Sequence, residues 1–330
     1  MLKGELALTN LDEVKSKLKK LVNKKTDFAD ICKELDVNEY ELIGLVRILN
    51  ESGDMIDYKD GKIIKLNKSV DSNKEIIIPS KDNVVKFLAL SDVHYGSNWD
   101  NPRLVEYAYE IAEKEQVDFI TNSGDIFDGD FKGKRPDHIY QVKAHGMQQL
   151  DYAVKKYPKS DIPTYYISGN HDATFIKTCG ADICKMLAKE RPDLTYLGSD
   201  VADIKVGKLK IRLRHGSGGN AYAKGYKLQR YCETLPVDDL PNIILQGHFH
   251  YSAYFKNRDI HCFNVPSLQG YTPYAKSLGL PQEMGFWLIT CGLTDKGDIC
   301  TICPELYQFD EKVKAKRRRN GWQTKYNMIY

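Results

Sequence analysis

Two rhythms of apolar residues divide this chain. Over residues 11–49 apolar side chains recur every three or four positions, the spacing of amphipathic helices. From about residue 76 they come instead in short β-prone runs separated by helical stretches. Leu11, Val14, Leu18, Leu21 and Val22 mark a first helix, with lysines on its other face. Thr26 or Asp27 can cap a second helix through Phe28, Ile31, Cys32 and Leu35. Val37-Asn38 then turns into a third, carrying Tyr40, Leu42, Ile43, Leu45, Val46 and Leu49 and ended by Gly53. Asp60-Gly61 between alternating apolar residues is a hairpin signal. Further on, strands are predicted over 84–90, 118–121, 164–167, 210–213 and 242–245. Helices are predicted from Pro102 past Ile111 and from about Asp137 to Lys156, and the stretch from Tyr254 to about Cys303 is strand-rich. This alternation predicts an α/β protein, a layered β-sandwich flanked by helices, with a small N-terminal domain. Domains are expected at 1–68 and 76–308, with a linker at 69–75 and a basic tail at 309–330.

Composition changes this picture little. A chain of 330 residues, 42% hydrophobic and 28% charged, buries a full core without staples. No apolar run is long enough to span a bilayer, and Met1 leads into Leu-Lys-Gly-Glu, unlike a signal peptide. The expectation is a cytoplasmic protein with no membrane partner. Eight scattered cysteines fit reduced thiols packed as small hydrophobes, and Cys300-Thr-Ile-Cys303 lacks the second pair that a zinc site needs.

The chemistry lies at the strand ends. Asp92-Val93-His94, Gly124-Asp125, Gly169-Asn170-His171-Asp172, His215-Gly216 and Gly247-His248-Phe249-His250 each follow a β-prone run. Asp, Asn and His supply the mixed oxygen and nitrogen donors that a pair of divalent cations takes. The ordered set D-x-H, G-D, G-N-H-D, H-G and G-H-x-H resembles the calcineurin-like metallophosphoesterases over about 84–250. The wording of Gly124-Asp125-Ile126-Phe127-Asp128 and of Gly169-Asn170-His171-Asp172 is most similar to the Mre11/SbcD nuclease branch. That resemblance implies a first metal on Asp92, His94 and His250, a second on Asn170, His215 and His248, and Asp125 bridging both. Two cations about 3.5–4 Å apart need a shared carboxylate, and a water between them becomes hydroxide near neutral pH and attacks phosphorus in line. The donors suit Mn²⁺, with Fe or Zn²⁺ as alternatives, better than Mg²⁺. His171, next to a ligand but pointing elsewhere, would serve the leaving oxygen, with Asp172 orienting it and holding it protonated.

Other features divide more evenly. Helix, helix, helix and hairpin resemble a winged helix-turn-helix domain, but its third helix opens Asn38-Glu39-Tyr40-Glu41, acidic where phosphates come closest. Such domains also serve as protein contacts. Lys224, Lys227 and Arg230 follow the Gly216–Gly219 stretch, and Lys227 and Arg230 are candidate substrate contacts or an ordinary solvated face. Asp128 and Asp130 are read as turn residues in preference to partners of the ligand histidines, and His138 and His145 as surface or packing residues. Six lysines and arginines from Lys312 to Arg319, followed by Trp322 and Tyr326, suit nucleic acid, and a solvated tail suits them equally. The leading expectation is a nuclease, a phosphodiesterase acting on nucleic acid. The alternatives are a phosphomonoesterase or small-nucleotide phosphodiesterase, and a DNA-binding or scaffold protein with a vestigial site. Only 80 residues follow His250, little room for the capping domain of the nuclease branch. The sequence leaves the oligomeric state, including a homo-oligomer, open.

Overall fold

The computed structural model describes residues 16–18, 20–21, 27–39, 41–43, 45–46, 56–59, 62–65, 76–78, 83–131 and 141–309. The chain divides into two compact units, Met1–Ser72 and Asn73–Tyr330. The expected linker at 69–75, the Asp60-Gly61 turn and the basic run at 312–319 lie outside the described residues.

In the first unit, residues 16–18, 20–21, Phe28–Leu35, 39, 41–43 and 45–46 are helical. Leu18, Leu21, Phe28, Ile31, Leu42 and Leu45 form its buried core. Asp27 caps the Phe28–Leu35 helix, its carboxylate accepting from Ala29 N at 3.1 Å. Asn38 and Glu41 form a reciprocal cap: Glu41 N donates to Asn38 Oδ1 at 3.0 Å, and Asn38 N donates to Glu41 Oε2 at 2.8 Å. The acidic start that argues against phosphate contact thus has a local cause, the capping of this helix. Strands β1 (Ile56–Lys59) and β2 (Lys62–Lys65) pair antiparallel.

The second unit is built on two six-stranded mixed sheets. One contains β3 (Ile76–Ile78), β8 (Val201–Val206), β9 (Leu209–His215), β10 (Ile243–Gly247), β11 (Ala253–Asn257) and β12 (Ile260–Asn264), in the order β11-β12-β10-β9-β8-β3. The other contains β4 (Val84–Leu90), β5 (Phe119–Asn122), β6 (Thr164–Ser168), β7 (Leu194–Ser199), β13 (Met284–Leu293) and β14 (Ile299–Phe309), in the order β14-β13-β4-β5-β6-β7. Phe87, Phe119, Ile167, Ile211, Leu245 and Phe263 belong to one buried cluster to which strands of both sheets contribute. A second cluster, with Leu88, Ile120 and Tyr166, includes Val105 and Leu187 from the helices Pro102–Lys114 and Ile183–Glu190. Strands buried on both faces explain the near-continuous apolar runs of the sequence.

One helix departs from expectation. Among the described residues, the helix expected from Asp137 to Lys156 is present over Gln148–Lys156 and not over 141–147. Residues 141–147 form turns, with Gly146 in the left-handed region (φ 52°), and Val142 bridges to Ser97. His145 is an exposed residue of that turn, and His138 lies outside the described residues.

Candidate metal centre

Strands β4, β5 and β6 run parallel, as do β9 and β10, so their C-terminal ends collect at one edge of each sheet. This is where open parallel sheets carry their functional loops. Backbone pairing of β4 with β5 continues past both strands. Asp92 N donates to Gly124 O at 3.0 Å, His94 N to Asp125 O at 3.1 Å and Tyr95 N to Ile126 O at 2.7 Å. On the other sheet His215 pairs with Gly247, which sets its ring 5.1 Å from that of His248.

These loops bring all seven candidate ligands together, in two groups of closely spaced donor atoms. Asp92, His94 and His250 form one, and Asp125, His215 and His248 the other, with Asn170 beside His215; His94 also falls in a third close set with Asp128 and His171. In the first, His250 Nε2 lies 3.3 Å from His94 Nε2 and 3.2 Å from Asp92 Oδ1. In the second, His215 Nε2 lies 3.0 Å from Asn170 Oδ1 and 3.2 Å from Asp125 Oδ2. Asp125 Oδ2 is also 3.9 Å from His94 Nε2, so one carboxylate stands between the groups.

Three of the four imidazoles commit their other nitrogen to a hydrogen bond, and the fourth, His94, only approaches a carboxylate. His215 Nδ1 meets Ser123 O at 2.8 Å, His248 Nε2 meets Gly218 O at 2.8 Å, and His250 Nδ1 meets Gln282 Oε1 at 2.9 Å. His94 Nδ1 lies 3.4 Å from Asp128 Oδ1, which also accepts from Gln269 Nε2. An N–H spent on an outer acceptor leaves a lone pair aimed inward, at other lone pairs. That arrangement repels itself unless a positive charge sits among the atoms. Protons can supply it: burial raises the Asp92 carboxyl, but His250 outweighs burial and holds it down at about 2. Burial lowers His215, and Asp125 outweighs it and lifts the ring to about 10. Two divalent cations satisfy the same donors, and the donor set fits them.

The backbone is strained at the same place. Asp92, His94, Asp125, His248 and His250 all have φ between 50° and 84°. A left-handed non-glycine residue costs about 1–2 kcal/mol, and such outliers cluster at functional sites. Gly169 is required by close approach, since a Cβ there would strike Asp125 Oδ1 and come within 2.7 Å of His215 Cε1.

The expectation for Asp172 is corrected. Its carboxylate does not touch His171; Oδ1 accepts from Phe127 N at 2.8 Å, and Oδ2 accepts from Gly169 N at 2.8 Å and Ile126 N at 3.3 Å. Asp172 therefore ties the Asp125 loop to the Asn170 loop. His171 instead has Nδ1 2.6 Å from Asp128 O, and burial pulls its ring down to about 4, against the protonated form expected. Its edge meets the Phe131 ring. Asp128, read as a turn residue, is the buried partner of His94. Arg230 is exposed and paired with Glu233 at 3.1 Å, not aimed at the site. Lys227 reaches the glycine loop, where a Cβ on Gly218 would stand 3.6 Å from its Nζ. Sequence reasoning missed Gln269 and Gln282, for which no local pattern gave a signal. Cys184, Cys232, Cys262 and Cys291 pack as small hydrophobes, whereas Cys179, Cys300 and Cys303 are exposed.

Two helix-flanked mixed sheets with clustered Asp, Asn and His at the strand ends define the class of a metal-dependent phosphoesterase. The calcineurin-like phosphoesterase family model matches residues 85–264, more than half of the chain, and the chain belongs to that family. Among solved structures it is similar to an archaeal phosphodiesterase at 14% identity and a TM-score of 0.40, covering 68% of this chain and all of that one. It is similar to zinc-complexed Vps29 from Entamoeba histolytica at 15% identity and a TM-score of 0.35, with 68% and 100% covered. A 5′-nucleotidase precursor from Thermus thermophilus matches at 12% identity and a TM-score of 0.35, covering 68% of this chain and 54% of that one. Likenesses this distant carry no argument about activity. No curated protein matches the chain. Among the described residues, no helix is long and apolar enough to cross a membrane.

Proposed function

We propose that this chain is a dinuclear-metal phosphodiesterase that hydrolyses nucleic-acid phosphodiester bonds. The observation that carries the reading is the pair of donor groups on either side of Asp125 Oδ2. Asp92, His94 and His250 would hold one ion and Asn170, His215 and His248 the other, with Asp125 shared. Bound there, two divalent ions (Mn²⁺, or Fe or Zn²⁺) supply charge stabilisation and a water acidic enough to attack phosphorus at neutral pH.

The chain's own residues do the rest. Asp128 and Gln282 keep His94 and His250 in the orientation that presents Nε2 inward. His171, with Nδ1 held by the Asp128 carbonyl, offers Nε2 to the departing oxygen. An anionic phosphodiester beside that ring favours its protonated form and opposes the burial that pulls it down. Lys227, beside the glycine loop, adds attraction for the anion. The basic run at 312–319 and a winged-helix-like N-terminal unit would hold a polynucleotide, and the N-terminal unit could equally take a protein partner.

A second reading, a small-nucleotide phosphodiesterase, is favoured by the cavity over the site, which at about 540 Å³ is the size of a small-molecule pocket. The test is Mn²⁺-dependent hydrolysis of single- and double-stranded DNA beside a simple phosphomonoester and a small phosphodiester, with Asp125→Ala as control. DNA cleavage lost in the variant supports the nuclease. Cleavage of the small diester alone moves the protein to the second reading, and cleavage of nothing by the metal-loaded chain sinks both.

A further inference from the structure

Two unlike sets of residues line the cavity. One is the donor cluster, with His94, Asp125, Asn170, His171, His248 and His250 in its lining. The other is a wall from the segment around the short helix Pro273–Ser277, where Tyr274, Leu278, Leu280 and Pro281 line the same space. None of these four carries a charge, and a phosphate has no use for such a surface. Leu278 is 56% exposed and Tyr274 45%, apolar surface beside a polar site.

The wall is also fixed to the donor cluster. Gln282 accepts at Oε1 opposite His250 Nδ1, 2.9 Å away, and its Nε2 donates to Gln269 O at 2.7 Å. Glu283 N donates to His250 O at 2.7 Å, and Tyr271 OH donates to Leu280 O at 3.1 Å. Thr272 caps the short helix through Ala275 N at 3.1 Å. An apolar surface held in register with a ligand histidine is placed to read whatever is attached to the phosphorus.

We infer that this wall is the specificity element of the site and seats the flat ring of a substrate arm, a nucleobase in the natural case, while the phosphate lies over the donor cluster. The inference rests on the phosphodiesterase reading and deepens it. A cavity of about 540 Å³ is large enough for one nucleotide unit with its ring, as in a single-stranded end or a small nucleotide ester. Covering one ring face against the wall removes enough apolar surface from water to tighten binding by about tenfold.

The test is equilibrium binding of methyl phosphate, phenyl phosphate and thymidine 5′-monophosphate to the full chain loaded with Mn²⁺. Both ring-bearing esters are expected to bind about tenfold more tightly than methyl phosphate. The neutral replacements Leu278→Ser and Tyr274→Ser should each shrink that ratio severalfold. Equal affinity for the three esters in the parent, or a ratio that neither variant alters, overturns the inference alone. Failure of all three esters to bind the Mn²⁺-loaded chain brings down the proposed function and this inference with it.

Discussion

The two groups of candidate ligands are alike in chemistry but differ in what holds them. In the first, His94 and His250 lean on side chains, the Asp128 carboxylate and the Gln282 amide. In the second, His215 and His248 lean on main-chain carbonyls, those of Ser123 and Gly218. A backbone carbonyl cannot be deleted by substitution, and it moves only if its loop moves. A side-chain partner can be exchanged one residue at a time, and a carboxylate raises the basicity of its imidazole more than an amide does. The first group is therefore the adjustable half of the site and the second the fixed half. Asp125 is a member of the second group, and its Oδ2 also faces His94 of the first at 3.9 Å.

That comparison orders the expected effects. Asp125→Ala should remove both ions together and lower phosphodiester hydrolysis by about a thousandfold or more, since the ions supply several kcal/mol to the transition state. Metal content after gel filtration checks this, and a variant that retains one full equivalent would show that the halves are independent. Asp128→Ala should weaken only one of the two sites, by about 10–100-fold. Titration of the metal-free variant with Mn²⁺ should then resolve one altered and one unaltered step. Gln282→Ala acts on the same half through a neutral amide, and its effect should fall at or below the lower end of that range. Equal weakening of both steps by either variant would dissolve the distinction between the halves.

Much of this site can be read from the order of residues, because the sheet enforces it. A β-prone run ending in D-x-H, or in G-H-x-H, says that the chain leaves a buried strand at that point, and in this fold strand ends meet. Capping is legible for the same reason: Asn101 before Pro102, and Asn38 three residues before Glu41, act within one turn. What stays hidden depends on loops that meet only in three dimensions. Asp128 reaches His94 across 34 positions and Gln282 reaches His250 across 32, and no spacing rule connects them. Asp172 misleads because its neighbour in sequence is His171, whereas its partners are the amides of Ile126, Phe127 and Gly169. The helix expected over 141–147 fails for a different cause. Val142, Ala144, Leu150 and Ala153 fall near helical spacing, but the first two are buried by a turn folded against Gly96 and Ser97.

A third cluster of charges supplies the contrast with a site that needs no metal. Arg212 donates to Asp203 at 2.7 and 2.8 Å and to both oxygens of Asp239 at 3.0 Å, and Lys210 donates to Asp239 at 2.6 Å. Here the carboxylates are matched by the chain's own cations. Burial raises the Asp239 carboxyl, and the bonds from Arg212 and Lys210 outweigh it and hold the group below its ordinary 3.8. A folded-state pKa below the unfolded one gives stability that is complete above the unfolded value and lost as pH falls through the folded one. The Asp239 side chain is 48% exposed, so solvent screening limits the contribution to less than about 1 kcal/mol. Asp239→Asn should therefore unfold at slightly lower denaturant than the parent at pH 7, with the gap closing as the pH is taken below 3.8. With a chelator present throughout, the gap at pH 7 should be the same as in metal-loaded protein. A gap that widens on metal removal would mean that this cluster and the candidate metal centre are coupled, and that the carboxylates matched by protein cations are not independent of the candidate ligands.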